Sequence, residues 1–155
     1  ALYASTQLRA IQTATPTAQA LGLEVQKVAG LREMEFGEWE MRSREALDLD
    51  FPQEMEIWES GSWMIDPPGG ETQQEVIARA TSSLLDLLKR HAGQTLLIFA
   101  HRTTLRLLLS NILDMNLPNS RALALDPTGV TEVFLKGGRV HLLYHNDTRH
   151  LAELA

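Results

Sequence analysis

The chain has 155 residues, 44% of them apolar, a net charge of −6 and no cysteine. That is enough for one domain with a real core. It excludes a disulfide framework, a thiolate zinc site and a cysteine nucleophile. The acidic balance argues against general nucleic-acid binding, which needs a basic face. No apolar run approaches the roughly 20 residues that span a bilayer, and no signal peptide is visible. The reading is a cytoplasmic protein with no nucleic-acid or membrane partner.

Ala1–Ala4 reads as the end of a buried strand. Ser5 or Thr6 is expected to cap a helix through about Leu21, with Leu8, Ile11, Thr15 and Ala18 on its inner face and Gly22 as its stop. Val25–Val28 is a second short strand, and Leu31–Glu40 alternates acid and bulk. From 41 to 66 the pattern loosens into acidic sequence with Phe51, Trp58, Trp63 and Met64, either an apolar lid or a local core. Pro67-Pro68-Gly69-Gly70 is a firm break, and Thr72–Glu75 has the form of a capping box. The following helix carries Val76, Ile77, Ala80, Leu84, Leu87 and Leu88 on one stripe and ends in basic residues before Gly93.

The run Thr95–Ala100 is continuously apolar and reaches His101, where a helical pattern (Leu105, Leu108, Leu109, Ile112, Leu113) begins. Such a strand is normally buried on both faces of a parallel sheet. Ligands of such sheets bind beyond the carboxyl ends of the strands, near the free N–H groups of the next helix. His101 therefore either contacts an anion or caps the helix. Val130–Leu135 and Val140–Tyr144 flank Lys136-Gly137-Gly138-Arg139, a hairpin signal. The βα alternation closed by a hairpin predicts a three-layer α/β/α sandwich with a mostly parallel mixed sheet, as a single domain over 1–155 with a lid-like insert at 41–66.

Arg9 falls in the first turns of a helix, where a positive charge opposes the macrodipole unless an anion is bound there. Of Glu33, Glu35, Glu38 and Glu40, three are expected on a solvated face. The carboxylates show no metal spacing, so no metal is expected. His91, His141, His145 and His150 read as non-catalytic. Serine-nucleophile, P-loop and dinucleotide glycine patterns are absent, and no cofactor is expected.

Leu2–Ser5, Arg9–Ala14, Leu31–Glu40, Pro68–Thr72, the strand into His101 and Asn146–Leu151 occur in the order found in the histidine phosphatase (phosphoglycerate mutase-like) superfamily, and the chain resembles that family throughout. The resemblance implies a metal-independent phosphohistidine mechanism on a small phosphorylated metabolite. Arg9 and His101 match the phosphate-binding arginine and the second histidine. Glu33 matches the acid that protonates the leaving oxygen and then activates water. So Glu33 and His101 are the catalytic candidates, with Arg9, His101 and Arg102 around the phosphate. Arg102 stands where the family often has glycine, so it either adds a phosphate contact or points away.

The family's Arg-His-Gly motif, which carries the nucleophile, is absent from the 155 residues. With it go the first central strand and its helix, about 30–50 residues for such a unit. The resemblance then implies two open sheet edges facing a gap beside the Thr95–Ala100 strand. The 155 residues read as a fragment, inactive alone and not folding as a tidy monomer. A preceding segment, a homodimer or strand exchange would complete the sheet. Met34 stands where mutases of the family have arginine, and the insert offers only Arg42 and Arg44 against seven acids. Hydrolysis of a phosphomonoester is therefore expected in the complete protein. The alternatives are a mutase-type phosphotransferase and a non-catalytic interaction module.

Overall fold

A computed structural model describes residues 1–62 and 64–152. Its strands and α-helices run in the order β1 (Leu2–Ser5), α1 (Leu8–Leu21), β2 (Gln26–Val28), α2 (Arg44–Asp50), α3 (Pro52–Glu59), α4 (Gln73–Arg90), β3 (Leu97–Phe99), α5 (Arg102–Ile112), β4 (Val130–Lys136) and β5 (Arg139–Asp147). The α/β architecture is the expected one. β1 sits in the middle of a parallel sheet ordered β2-β1-β3, with Tyr3 opposite both Gln26 and Ile98. β4 and β5 form a separate antiparallel pair. Gly137 and Gly138 turn that hairpin at φ 57° and 74°, the left-handed values a two-residue turn needs. Among the described residues no helix is long and apolar enough to cross a membrane.

β3 corrects one expectation. Its continuous apolar run predicts burial on both faces, yet Leu97, Ile98 and Phe99 are all half-buried. The strand is hydrogen-bonded to β1 on one side, and among the described residues its other edge is open. The hairpin is likewise thinly covered, with Phe134, Leu135, Leu142 and Leu143 exposed.

α1 corrects two more. Ala10, Ala14 and Ala18 are its buried face, whereas Leu8 is 68% exposed. Alanines let the helix approach β1 closely, and Ala14 and Ala18 pack with Leu2 and Ala4. The N-cap residue is Gln7, whose side chain makes no capping bond; Ser5 closes β1 instead, with its hydroxyl buried. Gly22 stops the helix in the left-handed conformation as expected, and Thr72 and Glu75 form the reciprocal capping box of α4.

Met34, Val76 and Leu107 make a second core with Phe36, Trp58, Ile77 and Leu117 packed on it. The insert's aromatics pack on residues just before it: Trp39 meets Phe51 and Trp58 at ring distances of 6.2 and 5.5 Å, and Phe36 meets Trp58 at 6.2 Å. Phe51 and Trp58 thus join the insert to the domain core, while Met64 is exposed; Trp63 lies outside the described residues.

The Pro67–Gly70 break is laced to the segment 35–38. The Glu71 N–H donates to Glu35 O at 2.8 Å, and the Glu38 N–H to Pro68 O at 2.9 Å. A Cβ on Gly70 would lie 2.4 Å from Glu35 O, against backbone that cannot swing aside. Gly70→Ala is expected to lower unfolding free energy by about 1–3 kcal/mol, the usual cost of overpacking, read as a lower urea midpoint.

Candidate active site

The carboxyl ends of β1 and β3 and the N-termini of α1 and α5 converge on Ser5, Gln7, Arg9 and His101. His101 is the N-cap residue of α5, but its ring caps nothing. It is 7% exposed and held from both sides. The Arg9 Nε–H donates to His101 Nδ1 at 3.3 Å, and Nε2 lies 2.8 Å from Ser5 Oγ. An Nδ1 that accepts leaves the proton of a neutral ring on Nε2, so the network assigns that tautomer. The imidazole is held below its ordinary pKa of 6.5, chiefly by burial; Glu33 pulls the other way, and Arg9 and Arg79 add to the lowering.

The cap of α5 is supplied from 70 residues away. Glu33 Oε1 accepts from the Thr104 N–H at 3.1 Å and the Thr104 hydroxyl at 3.2 Å, and Oε2 from the Thr103 N–H at 3.2 Å. A carboxylate there satisfies free helix N–H groups and meets the positive end of the dipole. Gln7 ties the two halves together: its Oε1 accepts from the Glu33 N–H at 3.0 Å and from Arg9 at 3.3 Å.

Behind Glu33 stands a buried ion cluster. Glu71 accepts two bonds of 2.8 Å from Arg79, one of 2.6 Å from Arg32 and one of 3.1 Å from the Glu35 N–H. Arg79 spends its remaining donors on the carbonyls of Gly30, Arg32 and Glu33. Burial works against the Glu71 charge, but Arg79, the Glu35 N–H and Arg32 outweigh it and keep its pKa below the ordinary value of 4.5. The segment from which Glu33 projects is thereby fixed on α4.

Arg9, Glu33 and Gln7 line a cavity of about 350 Å³ together with Met34, Phe36, Trp39, Glu40 and Met41. A larger, shallower depression of about 630 Å³ lies between Asp126 and Arg149, away from Arg9, Glu33 and His101. Of the sequence candidates, Arg9, Glu33 and His101 are brought together. Arg102 is exposed and makes no hydrogen bond to any of the three among the described residues. Glu35, Glu38 and Glu40 are exposed, as expected. His91 is tied to Tyr3 Oη at 2.7 Å, away from the site. Among the described residues no group of His, Asp and Glu side chains could hold a metal ion.

Residues 1–148 match the profile of the histidine phosphatase superfamily, branch 1. The chain belongs to that superfamily. A putative phosphoserine phosphatase 2 of Hydrogenobacter thermophilus is 30% identical over 158 residues, which cover 99% of this chain and 75% of that protein. The structure of YhfR from Bacillus stearothermophilus superposes with a TM-score of 0.91 at 26% identity, covering 97% of this chain and 75% of that one. A phosphoserine phosphatase mutant from Entamoeba histolytica, solved with phosphoserine, gives a TM-score of 0.85 at 26% identity, with 97% and 75% covered. The first and third of these relatives are named as phosphoserine phosphatases, and the fold of this histidine phosphatase chain is the phosphoglycerate mutase-like one.

Ser5, Arg32 and Glu71 lie inside the matching motifs without a role there, and Gln7, Thr104 and Arg79 lie outside them. Only the pairing of residues far apart in the chain reveals what they do.

One consequence is measurable on the free protein. The His101 ring is expected to titrate below 6.5 by NMR and to shift upward when phosphate binds, because a nearby dianion favours the imidazolium; a midpoint at or above 6.5 without phosphate contradicts the geometry. As pH falls below 6.5 the unfolded chain takes up this proton first. The stability held by neutral His101 is therefore complete above 6.5 and declines below it.

Proposed function

We propose that Arg9, His101 and Glu33 form the phosphate-binding and acid–base part of a phosphomonoester hydrolase acting on a small phosphorylated metabolite. The observation that carries this is the direct Arg9–His101 hydrogen bond beside a Glu33 carboxylate anchored on the α5 N-terminus. Phosphoryl transfer depends mainly on stabilising the charge of the equatorial oxygens. The bidentate guanidinium of Arg9 and the His101 N–H are donors suited to that.

In this reading a histidine nitrogen attacks phosphorus and the P–O bond to the leaving group breaks, while Glu33 gives its proton to the leaving oxygen. Glu33 then takes a proton from water, which attacks the phosphohistidine; the P–N bond breaks and inorganic phosphate leaves. The attacking histidine belongs to the Arg-His-Gly motif absent from residues 1–155, and among the described residues no second histidine joins His101 in the site. Residues 1–155 alone then bind phosphate without turning over.

The test compares p-nitrophenyl phosphate hydrolysis by residues 1–155 alone with the same residues preceded by a strand–loop–helix segment bearing Arg-His-Gly. Turnover is expected only in the second, and its loss when that histidine is replaced. Hydrolysis by residues 1–155 alone would overturn the phosphohistidine route. A joined protein no faster than its Arg9→Ala and His101→Ala variants would overturn the enzyme reading and favour an interaction module.

A further inference from the structure

Three guanidiniums gather beside this site, and among the described residues none of them is hydrogen-bonded to Arg9, Glu33 or His101. Arg102 and Arg106 are four residues apart on α5 and so share one face of its first turns. α5 packs on the 3-10 segment Leu117–Ala122, which delivers Arg121 to the same place. Arg121 is fixed there: its guanidinium lies 4.9 Å over the Trp58 ring and donates to Trp58 O.

Among the described residues none of the three takes part in an ion pair. The acids near them are already engaged, Glu33 on the N-terminus of α5 and Glu59 with Arg44. Arg106 Nε is buried with no hydrogen-bond partner. Native structures rarely leave a buried donor unused or hold like charges together with nothing between them. Burial first, then the charges of Arg121 and Arg102, work against the Arg106 charge, and Glu33 opposes them only weakly. A bound anion would relieve all of these at once.

We propose that Arg102, Arg106 and Arg121 form a second anion subsite beside the phosphate pocket, and that the substrate is a phosphomonoester carrying a second anionic group, a carboxylate or another phosphate. The subsite adjoins the leaving-group side: Glu33 sits on the N–H groups of Thr103 and Thr104, directly after Arg102, and its charge also reaches Arg106. This inference rests on Arg9, His101 and Glu33 being the phosphate site.

Isothermal titration calorimetry on the 155-residue chain tests it with inorganic phosphate and three matched compounds. Glycerol 3-phosphate carries one anionic group. In 3-phosphoglycerate a carboxylate replaces its hydroxymethyl end, and glycerol 1,3-bisphosphate adds a second phosphate. At least one of the last two is expected to bind about tenfold or more tighter than glycerol 3-phosphate, as charge-assisted bonds to arginine require. Whichever shows the gain identifies the second group. Arg106→Met and Arg121→Gln are expected to bring that ratio close to one, with circular dichroism confirming that each variant is folded. Equal binding of all three organic phosphates by the unsubstituted chain overturns the subsite without recourse to a variant. A ratio that survives both substitutions also overturns it. Failure of inorganic phosphate to bind at all overturns the underlying phosphate site instead, and this inference with it.

Discussion

Replacing Arg79 by Met is expected to lower the unfolding free energy by about 3–5 kcal/mol, the cost of stranding one member of a buried ion pair. The side chains of Arg79 and Glu71 are only 14% and 10% exposed. Without Arg79, Glu71 keeps Arg32 and one backbone N–H, and the carbonyls of Gly30, Arg32 and Glu33 lose a donor together. A double variant with Glu71→Gln removes the stranded charge, so its loss should be smaller than the sum of the two single losses in urea titrations. Additive losses would mean that the cluster does not act as a unit. The same pair sets an acid limit. The folded chain holds Glu71 below its ordinary 4.5, so the unfolded chain is protonated first as pH falls below that value. This contribution is complete above 4.5 and is lost with further acidification; Glu71→Gln should flatten that part of the pH–stability curve.

Arg9→Ala is expected to cost much binding and little stability. Arg9 occupies the second position of α1, where no acidic residue offsets the helix dipole, and its side chain is exposed. Removing the charge gains about 0.3–1 kcal/mol from the dipole, which offsets part of the hydrogen bonds lost to His101 and Gln7, so stability should fall by no more than about 1–2 kcal/mol. Phosphate affinity should fall by about 2–5 kcal/mol, roughly 30-fold to several thousand-fold, because the partner of the anion is gone. Calorimetric titration with phosphate beside a urea curve measures both. A variant that binds phosphate normally would remove Arg9 from the site, and a large loss of stability would make it a structural residue.

How far the fold was legible follows the range of each signal. The β4–β5 turn, the Gly22 stop and the Thr72–Glu75 box are written within a few residues, and all three are formed. On the inner face of α1, Ile11 and Ala18 pack inward as the pattern predicts, but the pattern scores leucine above alanine and so places Leu8 inside, whereas close contact with β1 selects Ala10 and Ala14. Ser5 has the chemistry of a helix cap, but its hydroxyl is taken by a histidine 96 residues away. Arg9, Glu33 and His101 were legible through motif resemblance, and their mutual contacts were not. Arg106 and Arg121 sat unnoticed in the sequence because one is on a helix face and the other in a 3-10 segment. Only the packing of those two elements makes them neighbours.

The central position of β1 also dictates the order in which the chain can fold. Leu2 pairs with Leu97 and Ala4 with Phe99, so β1, which has β2 close by in sequence, waits for its second partner almost a hundred residues later. α4 closes its own capping box locally and can form early, but the β1–β3 half of the sheet, and with it the Ser5–His101 bond, must await that long loop closure. During synthesis β1 therefore cannot take up its pairing with β3 until residue 99 has emerged from the ribosome.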